Sequence, residues 1–247
     1  MTMIAENLDR VRARIQSACQ RAGRSVHEVQ LLAVSKTFGV AAVMEALAAG
    51  QQSFGENYIQ EAVDKMALLQ AGAGTLSEMA GVVHRQAQWH CIGPVQSNKT
   101  RLVATHFQWV HTIDRLKIAQ RLSEQRPHDA PPLQVCIQVN VQAGAAKAGV
   151  PPEQALPLAL AVGQLPGLCL RGVMSIPDPA PDEAGQRRVF AQVRAVYEHL
   201  QSQGLSLDTL SMGMSGDLEA AVLEGSTMVR VGSAIFGRRT QAAPTHA

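Results

Sequence analysis

Lys36 is the residue whose type and position first suggest chemistry. It ends a predicted strand, 31–36, in which apolar residues dominate, and none of the other four lysines follows such a strand. If side chains alternate along a strand here, Lys36 shares a face with Val34 and Leu32, and in a closed barrel that face is the interior. Partial desolvation of an ammonium favours the neutral amine, which is a nucleophile toward aldehydes. A lysine that extends from the strand end into solvent is the alternative interpretation.

Two polar turns near the C-terminus contain residue types that bind phosphate. Residues 211–217, Ser-Met-Gly-Met-Ser-Gly-Asp, form the end of a predicted strand and the start of a predicted helix, where backbone N–H groups bind anions. A simple helix start with Ser215 as the N-cap is the alternative. In the second turn, Gly232 allows close backbone approach to a ligand, and Ser233 adds N–H and hydroxyl donors. Barrels often bind phosphate after strands seven and eight, so the two turns together indicate a phosphate site.

Arg230 lies two residues before Gly232 and therefore on the same face of its predicted strand. An arginine inside a barrel needs a partner, because burying an unpaired charge is costly. The ring nitrogen of a ligand and a buried carboxylate are both suitable partners. Other predicted strand ends carry polar residues that are individually more typical of caps or core polar groups: Asn57, Tyr58, His90 and Asn140.

Strand-like and helix-like runs alternate along the chain and would position these residues. Eight strands are predicted, at 31–36, 52–57, 88–93, 109–113, 134–140, 168–176, 209–214 and 228–236. Helices are predicted at 41–49, from about 58 to 69, after a cap at Asp114, and at 152–165, 184–203 and 215–223. A further N-terminal helix places four apolar residues on one face, namely Leu8, Val11, Ile15 and Ala18.

This count predicts an α/β fold, a single (β/α)8 TIM barrel with an extra N-terminal helix, over residues 1–239. Residues 240–247 are expected to form a disordered tail, and 71–86 a loop or insertion. An open doubly wound sheet is the alternative, although no GxGxxG turn follows the first strand.

Composition excludes several classes of protein. A formal net charge of +2 over 247 residues gives no electrostatic reason to expect nucleic acid or a membrane surface as a partner. The four cysteines and eight histidines show no metal-ligand spacing, so no metal is expected. No signal peptide or membrane-spanning stretch is visible, and a cytoplasmic protein is therefore expected. With no heptad or large apolar stripe, we expect a monomer.

Lysine on strand one, a phosphate site after strands seven and eight, and a nearby arginine are the parts of a fold-type III pyridoxal 5′-phosphate (PLP) site. The sequence also resembles a specific family, the pyridoxal phosphate homeostasis proteins (the YggS/PROSC group), and through it the N-terminal barrel of alanine racemase. The matching segments span nearly the whole chain in family order: LAVSKT (32–37), FGENY (54–58), WHCIGPVQSNK (89–99), GVM (172–174), LSMGMS (210–215) and VRVGSAIFG (229–237). This sequence departs from the family at Cys91, at 142–148 and at the 71–86 insertion.

The resemblance implies a function in intracellular vitamin B6 homeostasis, with effects on amino-acid and keto-acid balance. It implies that Lys36 holds PLP as an aldimine, that Ser215, Gly232 and Ser233 hold the phosphate, and that Arg230 faces the pyridine nitrogen with Asn57 near the ring. PLP-dependent apo-enzymes are candidate recipients. The predicted cofactor-binding set is Lys36, Asn57, Met214, Ser215, Arg230, Gly232 and Ser233.

A carrier is favoured over a racemase. A racemase needs a second base opposite the lysine, usually a tyrosine from an added β-domain, and the barrel uses nearly all of this chain. Of the two tyrosines, Tyr197 is predicted on an outer helix and Tyr58 at a helix start. An arginine at the ring nitrogen also disfavours the protonated ring that carbanion chemistry needs. A weak or narrow racemase and a PLP-free sugar-phosphate enzyme that uses Lys36 stay open.

Overall fold

The computed structural model describes residues 2–72, 87–142 and 148–237. Its strands form one closed parallel barrel in the order β1 to β8, so the predicted TIM barrel is confirmed and the open sheet is excluded. The strands are β1 Gln30–Val34, β2 Ser53–Glu56, β3 Gln88–Cys91, β4 Trp109–Ile113, β5 Leu133–Gln138, β6 Leu168–Met174, β7 Thr209–Ser211 and β8 Met228–Val231.

Helices surround the barrel and follow the strands. They are α1 Met3–Ala22, α2 Val40–Ala48, α3 Ile59–Gly72, α4 Thr100–His106, α5 Leu116–Gln125, α6 Pro152–Gly163, α7 Glu183–Ser202, α8 Leu218–Leu223 and α9 Ser233–Phe236. The extra N-terminal helix α1 is confirmed, and its four predicted apolar residues are all buried. It packs against α8 and α9, the helices that follow the last two strands.

Two apolar layers stabilise the barrel. The interior layer comprises Leu32, Val34, Ile92, Trp109, Cys136, Met174 and Met228. The outer layer fills the space between strands and helices and includes Ala33, between the two interior residues of β1. This alternation along β1 is the pleat that the sequence predicted.

The structure differs from the prediction at several element boundaries. The predicted eighth strand, 228–236, is wrong beyond Val231, because the apolar pair Ile235 and Phe236 belongs to α9. A short apolar run does not distinguish strand from helix. Helix α4 was not predicted, since its seven residues offer too short a periodicity. Neither Asp114 nor Ser215 is an N-cap, those positions being Arg115 and Asp217.

Two other expectations concern the predicted loop at 71–86 and the C-terminal tail. Ala71 and Gly72 belong to α3 rather than to a loop. Residues 73–86 and the proposed tail at 240–247 lie outside the described residues.

Candidate functional site

A cavity of about 310 Å³ opens at the carboxyl ends of the strands, the face on which barrels carry their functional groups. This size is within the range of small-molecule sites. The structure brings all seven sequence-predicted site residues to its wall: Lys36, Asn57, Met214, Ser215, Arg230, Gly232 and Ser233. Apolar and glycine residues complete the described lining, namely Val34, Phe38, Ile92, Ile176, Gly216 and Gly237.

Lys36 lies two residues beyond the end of β1 rather than within the strand. It sits in a turn closed by a hydrogen bond of 3.1 Å from the Phe38 amide to the Ser35 carbonyl. The side chain is half-buried and lines the cavity, so it does not simply extend into solvent. A primary amine is thereby placed at the wall of a largely apolar pocket.

Ser215, in the turn after β7, and Ser233, the first residue of α9, meet on one side of the cavity. The Ser233 hydroxyl lies 3.3 Å from the Ser215 hydroxyl. Gly232 leaves little room beside them, because a Cβ there would lie 3.1 Å from the Val34 carbonyl oxygen. The turn before Ser215 depends on Gly213, whose φ of +92° is one that other residues rarely adopt. The two hydroxyls form a polar cradle with hydrogen-bond donors for an anion.

Helix α1 supports this cradle from outside the barrel, which the sequence did not reveal. The Arg14 guanidinium donates to the Ser215 carbonyl at 3.0 Å and pairs with Glu219 at 2.7 Å. The Asn7 side chain donates to the Ile235 carbonyl at 2.7 Å. The extra helix therefore contacts both segments that carry the cradle, the turn at Ser215 and helix α9.

Arg230 lies beneath the cavity with only 3% of its surface exposed. Its guanidinium donates to the Ser211 hydroxyl at 2.7 Å and to the Ser175 carbonyl at 2.8 Å. Burial lowers the Arg230 pKa to about 10, which still leaves it charged at neutral pH. Among the described residues it forms no carboxylate ion pair, so the buried-carboxylate alternative is not what the structure shows.

Two buried histidines continue the hydrogen bonds of Arg230 through the barrel interior. His111 Nδ1 lies 3.0 Å from the Ser211 hydroxyl, and His111 Nε2 lies 2.9 Å from His90 Nδ1. Burial lowers the His90 pKa to about 3 and the His111 pKa well below its usual value. Both rings are therefore neutral at physiological pH. His111 was missed by sequence reasoning, because mid-strand polar residues carry no local signal of their partners.

Asn57 presents an unsatisfied acceptor. Its side-chain oxygen is buried and has no hydrogen-bond partner among the described residues. The backbone around it is tightly held, since a Cβ on Gly93 would lie 2.3 Å from the Asn57 carbonyl oxygen. Buried polar atoms normally find a partner, so this oxygen points to a donor on a bound molecule. Such an acceptor, a primary amine, a cation and a hydroxyl cradle together fit a phosphorylated aromatic aldehyde.

The described part of the chain shows neither a metal site nor a membrane-spanning helix. No group of three or more histidine, cysteine, aspartate or glutamate residues is arranged to hold a metal ion there. Within the same residues, no helix combines the length and apolarity that spanning a membrane requires.

Sequence comparisons identify close relatives. The family described as alanine racemase, N-terminal domain, matches residues 7–240. The pyridoxal phosphate homeostasis protein of Pseudomonas aeruginosa is 56% identical over 244 residues, which is 99% of both chains. That of Escherichia coli K12 is 50% identical over 239 residues, covering 97% of this chain and 98% of the relative.

Solved structures show the same barrel. PipY of Synechococcus elongatus with PLP bound is 36% identical with a TM-score of 0.78, covering 95% of this chain and 100% of PipY. Alanine racemase of Corynebacterium glutamicum is 19% identical with a TM-score of 0.62, covering 98% of this chain and 62% of the racemase chain. At that identity the similarity concerns the fold alone.

Proposed function

The chain belongs to the pyridoxal phosphate homeostasis proteins, within the alanine racemase N-terminal domain family, and we propose that it binds PLP at the barrel mouth and serves intracellular vitamin B6 homeostasis. It holds the cofactor and transfers or buffers it, with effects on amino-acid and keto-acid balance. The observation that carries this proposal is the convergence of seven residues from separate strand ends on one cavity.

Each part of the cavity suits one part of the cofactor. When bound, PLP supplies an aldehyde that reacts with primary amines and a phosphate that carries negative charge. Lys36 provides the amine for covalent attachment. Ser215, Gly232 and Ser233 would hold the phosphate, and Met214 lines the same cavity. Backbone and hydroxyl donors of this kind are typical of phosphate sites in barrels.

Arg230 and Asn57 orient the ring. With PLP bound, the Arg230 guanidinium would face the ring nitrogen, and Asn57, whose side-chain oxygen is buried without a partner among the described residues, would lie near the ring. A charged guanidinium disfavours a proton on that nitrogen. An unprotonated pyridine is a poor electron sink, so the site retains and exchanges its cofactor with little catalysis.

The positions of the two tyrosines also support a carrier rather than an enzyme. Tyr197 donates its hydroxyl hydrogen bond to the Leu207 carbonyl at 2.9 Å on the outside of the barrel. Tyr58 is 54% exposed. Neither is among the described residues that line the cavity, where a second base would have to lie.

A weak or narrow-specificity racemase is the second candidate. The match to the alanine racemase N-terminal domain over residues 7–240 favours it. Release of α-deuterium from amino acids by the wild type, abolished in Lys36→Ala, would support this activity and contradict the carrier proposal. The PLP-free sugar-phosphate enzyme has no such match in its favour.

We also propose a monomeric cytoplasmic protein that passes PLP to PLP-dependent apo-enzymes. All four cysteines are free, which suits a reducing compartment. The exposed large apolar residues of the described chain belong to different helices and loops rather than to one continuous helical stripe, which suits a monomer.

Absorption spectroscopy before and after borohydride tests the proposal. Wild-type protein with added PLP is expected to show a visible band that borohydride converts to a stable adduct, which peptide mass spectrometry locates at Lys36. Lys36→Ala should lack the adduct, whereas Lys117→Ala, which alters an exposed lysine, should retain it. An adduct distributed over surface lysines, or none at all, would contradict PLP binding at this site.

A further inference from the structure

A second lysine is buried beside the turn that carries Lys36. Lys65, on α3, has a side chain only 4% exposed. Its ammonium donates to Glu56 Oε1 at 2.6 Å, the Ser35 carbonyl at 3.0 Å and Glu61 Oε1 at 3.2 Å. These three acceptors match the three protons of an ammonium, which is therefore fully satisfied.

Glu56 links this lysine to the end of β1. Its side chain is fully buried at the end of β2 and accepts a hydrogen bond of 2.7 Å from the Ser35 hydroxyl. Burial raises the Glu56 pKa, and the nearby Lys65 ammonium opposes that shift. Buried ion pairs usually add little net stability compared with apolar residues. This pair therefore calls for an explanation other than stability.

The turn itself is strained. Thr37 has a φ of +69°, and it is the one non-glycine residue with positive φ in the part of the chain that the structure describes. A β-branched residue in that region is a conformational outlier that its surroundings must hold. The Thr37 amide donates to Glu61 Oε1 at 2.7 Å. That bond holds the strained residue in place.

These contacts act on the two peptide groups that flank Lys36. Lys65 binds the carbonyl of the peptide before Lys36, and Glu61 binds the amide of the peptide after it. We propose that Glu56, Glu61 and Lys65, the turn clamp, position Lys36 so that its amine faces the cavity. None of the three is among the described residues that line the cavity, so they act through the backbone as positioning residues.

The inference rests on the proposed function only in taking Lys36 as the attachment amine. Glu61 offers the cleanest test, because its side chain is 34% exposed and its removal leaves the buried pair intact. In Glu61→Ala the strained turn relaxes, and the amine moves from the partly desolvated cavity wall into water, which favours its less reactive ammonium form. The control Glu61→Gln retains an oxygen that accepts from the Thr37 amide.

Competitive acetylation with a trace of acetic anhydride measures the effect without any cofactor. We expect acetylation of Lys36 at neutral pH, relative to the exposed Lys117, to fall about tenfold in Glu61→Ala and less than threefold in Glu61→Gln. Thr37→Gly in the Glu61→Ala background should restore the rate, since glycine adopts positive φ without strain. A global loss of structure would not be reversed in this way.

Two measurements separate the clamp from the proposed function. Unchanged acetylation of Lys36 in Glu61→Ala, or no recovery with Thr37→Gly, would overturn the clamp even if the wild type binds PLP. Failure of the wild type to form a PLP adduct at Lys36 would instead overturn the proposed function. The acetylation pattern would still decide whether the clamp positions that amine.

Discussion

The hydroxyl of Ser211 accepts a hydrogen bond of 2.7 Å from the guanidinium of Arg230 inside the barrel. Ser211 ends β7 and Arg230 lies in β8, so two adjacent strands supply the pair. Because His111 lies 3.0 Å from the same hydroxyl, Ser211 is the junction between the cavity and the buried histidines. A hydroxyl that accepts from Arg230 is free to donate to His111, giving one directed chain of hydrogen bonds.

Ser211→Ala should therefore destabilise the protein out of proportion to the atom it removes. The substitution leaves one guanidinium donor and one histidine nitrogen buried without this partner, at a cost of about 1–3 kcal/mol each. Urea unfolding followed by circular dichroism measures the free energy of unfolding. Ser206→Ala, on an exposed loop, is the control and should change it by less than about 0.5 kcal/mol. Equal changes in the free energy of unfolding for Ser211→Ala and Ser206→Ala would contradict the role of Ser211 as a junction.

Acid should destabilise the protein through the buried histidines. The folded pKa of His90 is about 3 and that of His111 is well below the unfolded value of about 6.5, so as the pH falls below 6.5 the unfolded chain binds protons that the folded chain excludes. Stability is then fully present above pH 6.5 and falls by about 1.4 kcal/mol per pH unit for each histidine. Urea midpoints from pH 7.5 to 5 record this slope.

His90→Phe should reduce that slope by the contribution of one histidine. The substitution keeps an aromatic ring against Trp109, which stacks on His90 at 5.2 Å between centroids. The exposed His128 provides the matched control, and His128→Asn should leave the slope unchanged. An unaltered slope in His90→Phe would show that His90 titrates alike in the folded and unfolded chains.

Arg230→Glu should increase the exchange of the α-proton of amino acids at this site. A carboxylate at this position would favour protonation of a ring nitrogen, and each pKa unit gained multiplies the protonated fraction about tenfold. We expect α-deuterium release from L-alanine to rise at least about tenfold over wild type, with Arg230→Gln in between. Lys36→Ala added to Arg230→Glu should abolish the release. No increase in a folded, PLP-loaded Arg230→Glu would show that the cation is not what limits catalysis.

Removing the α1 support should weaken cofactor retention more than stability. Arg14→Met loses the hydrogen bond to the Ser215 carbonyl and the ion pair with Glu219. Because the side chains of Arg14 and Glu219 are partly exposed, the free energy of unfolding should fall by only about 1 kcal/mol. Dissociation of non-covalently held PLP, measured in the Lys36→Ala background, should quicken by about tenfold. Arg188→Met, on the exposed face of α7, is the control. Equal PLP dissociation rates for Arg14→Met and Arg188→Met would show that α1 does not support the phosphate cradle.

The sequence by itself determined the barrel and most of its mouth. Alternation in β1, the polar turns after β7 and β8, and the apolar face of α1 are local patterns, and side-chain period follows directly from backbone geometry. In a parallel barrel all strands end on one face. The residues that follow them, Lys36, Asn57, Ser215 and Ser233, therefore had to converge once the barrel was predicted.

Only the tertiary structure decided which buried polar groups pair. The ion pair of Lys65 with Glu56 joins a helix to a strand, and the contact of His111 with Ser211 joins two strands 100 residues apart. No local period encodes such partners. The physical reason is that a buried charge or ring nitrogen is stable wherever closure of the barrel brings a complementary group within about 3 Å. That distance depends on the register of every strand between the partners.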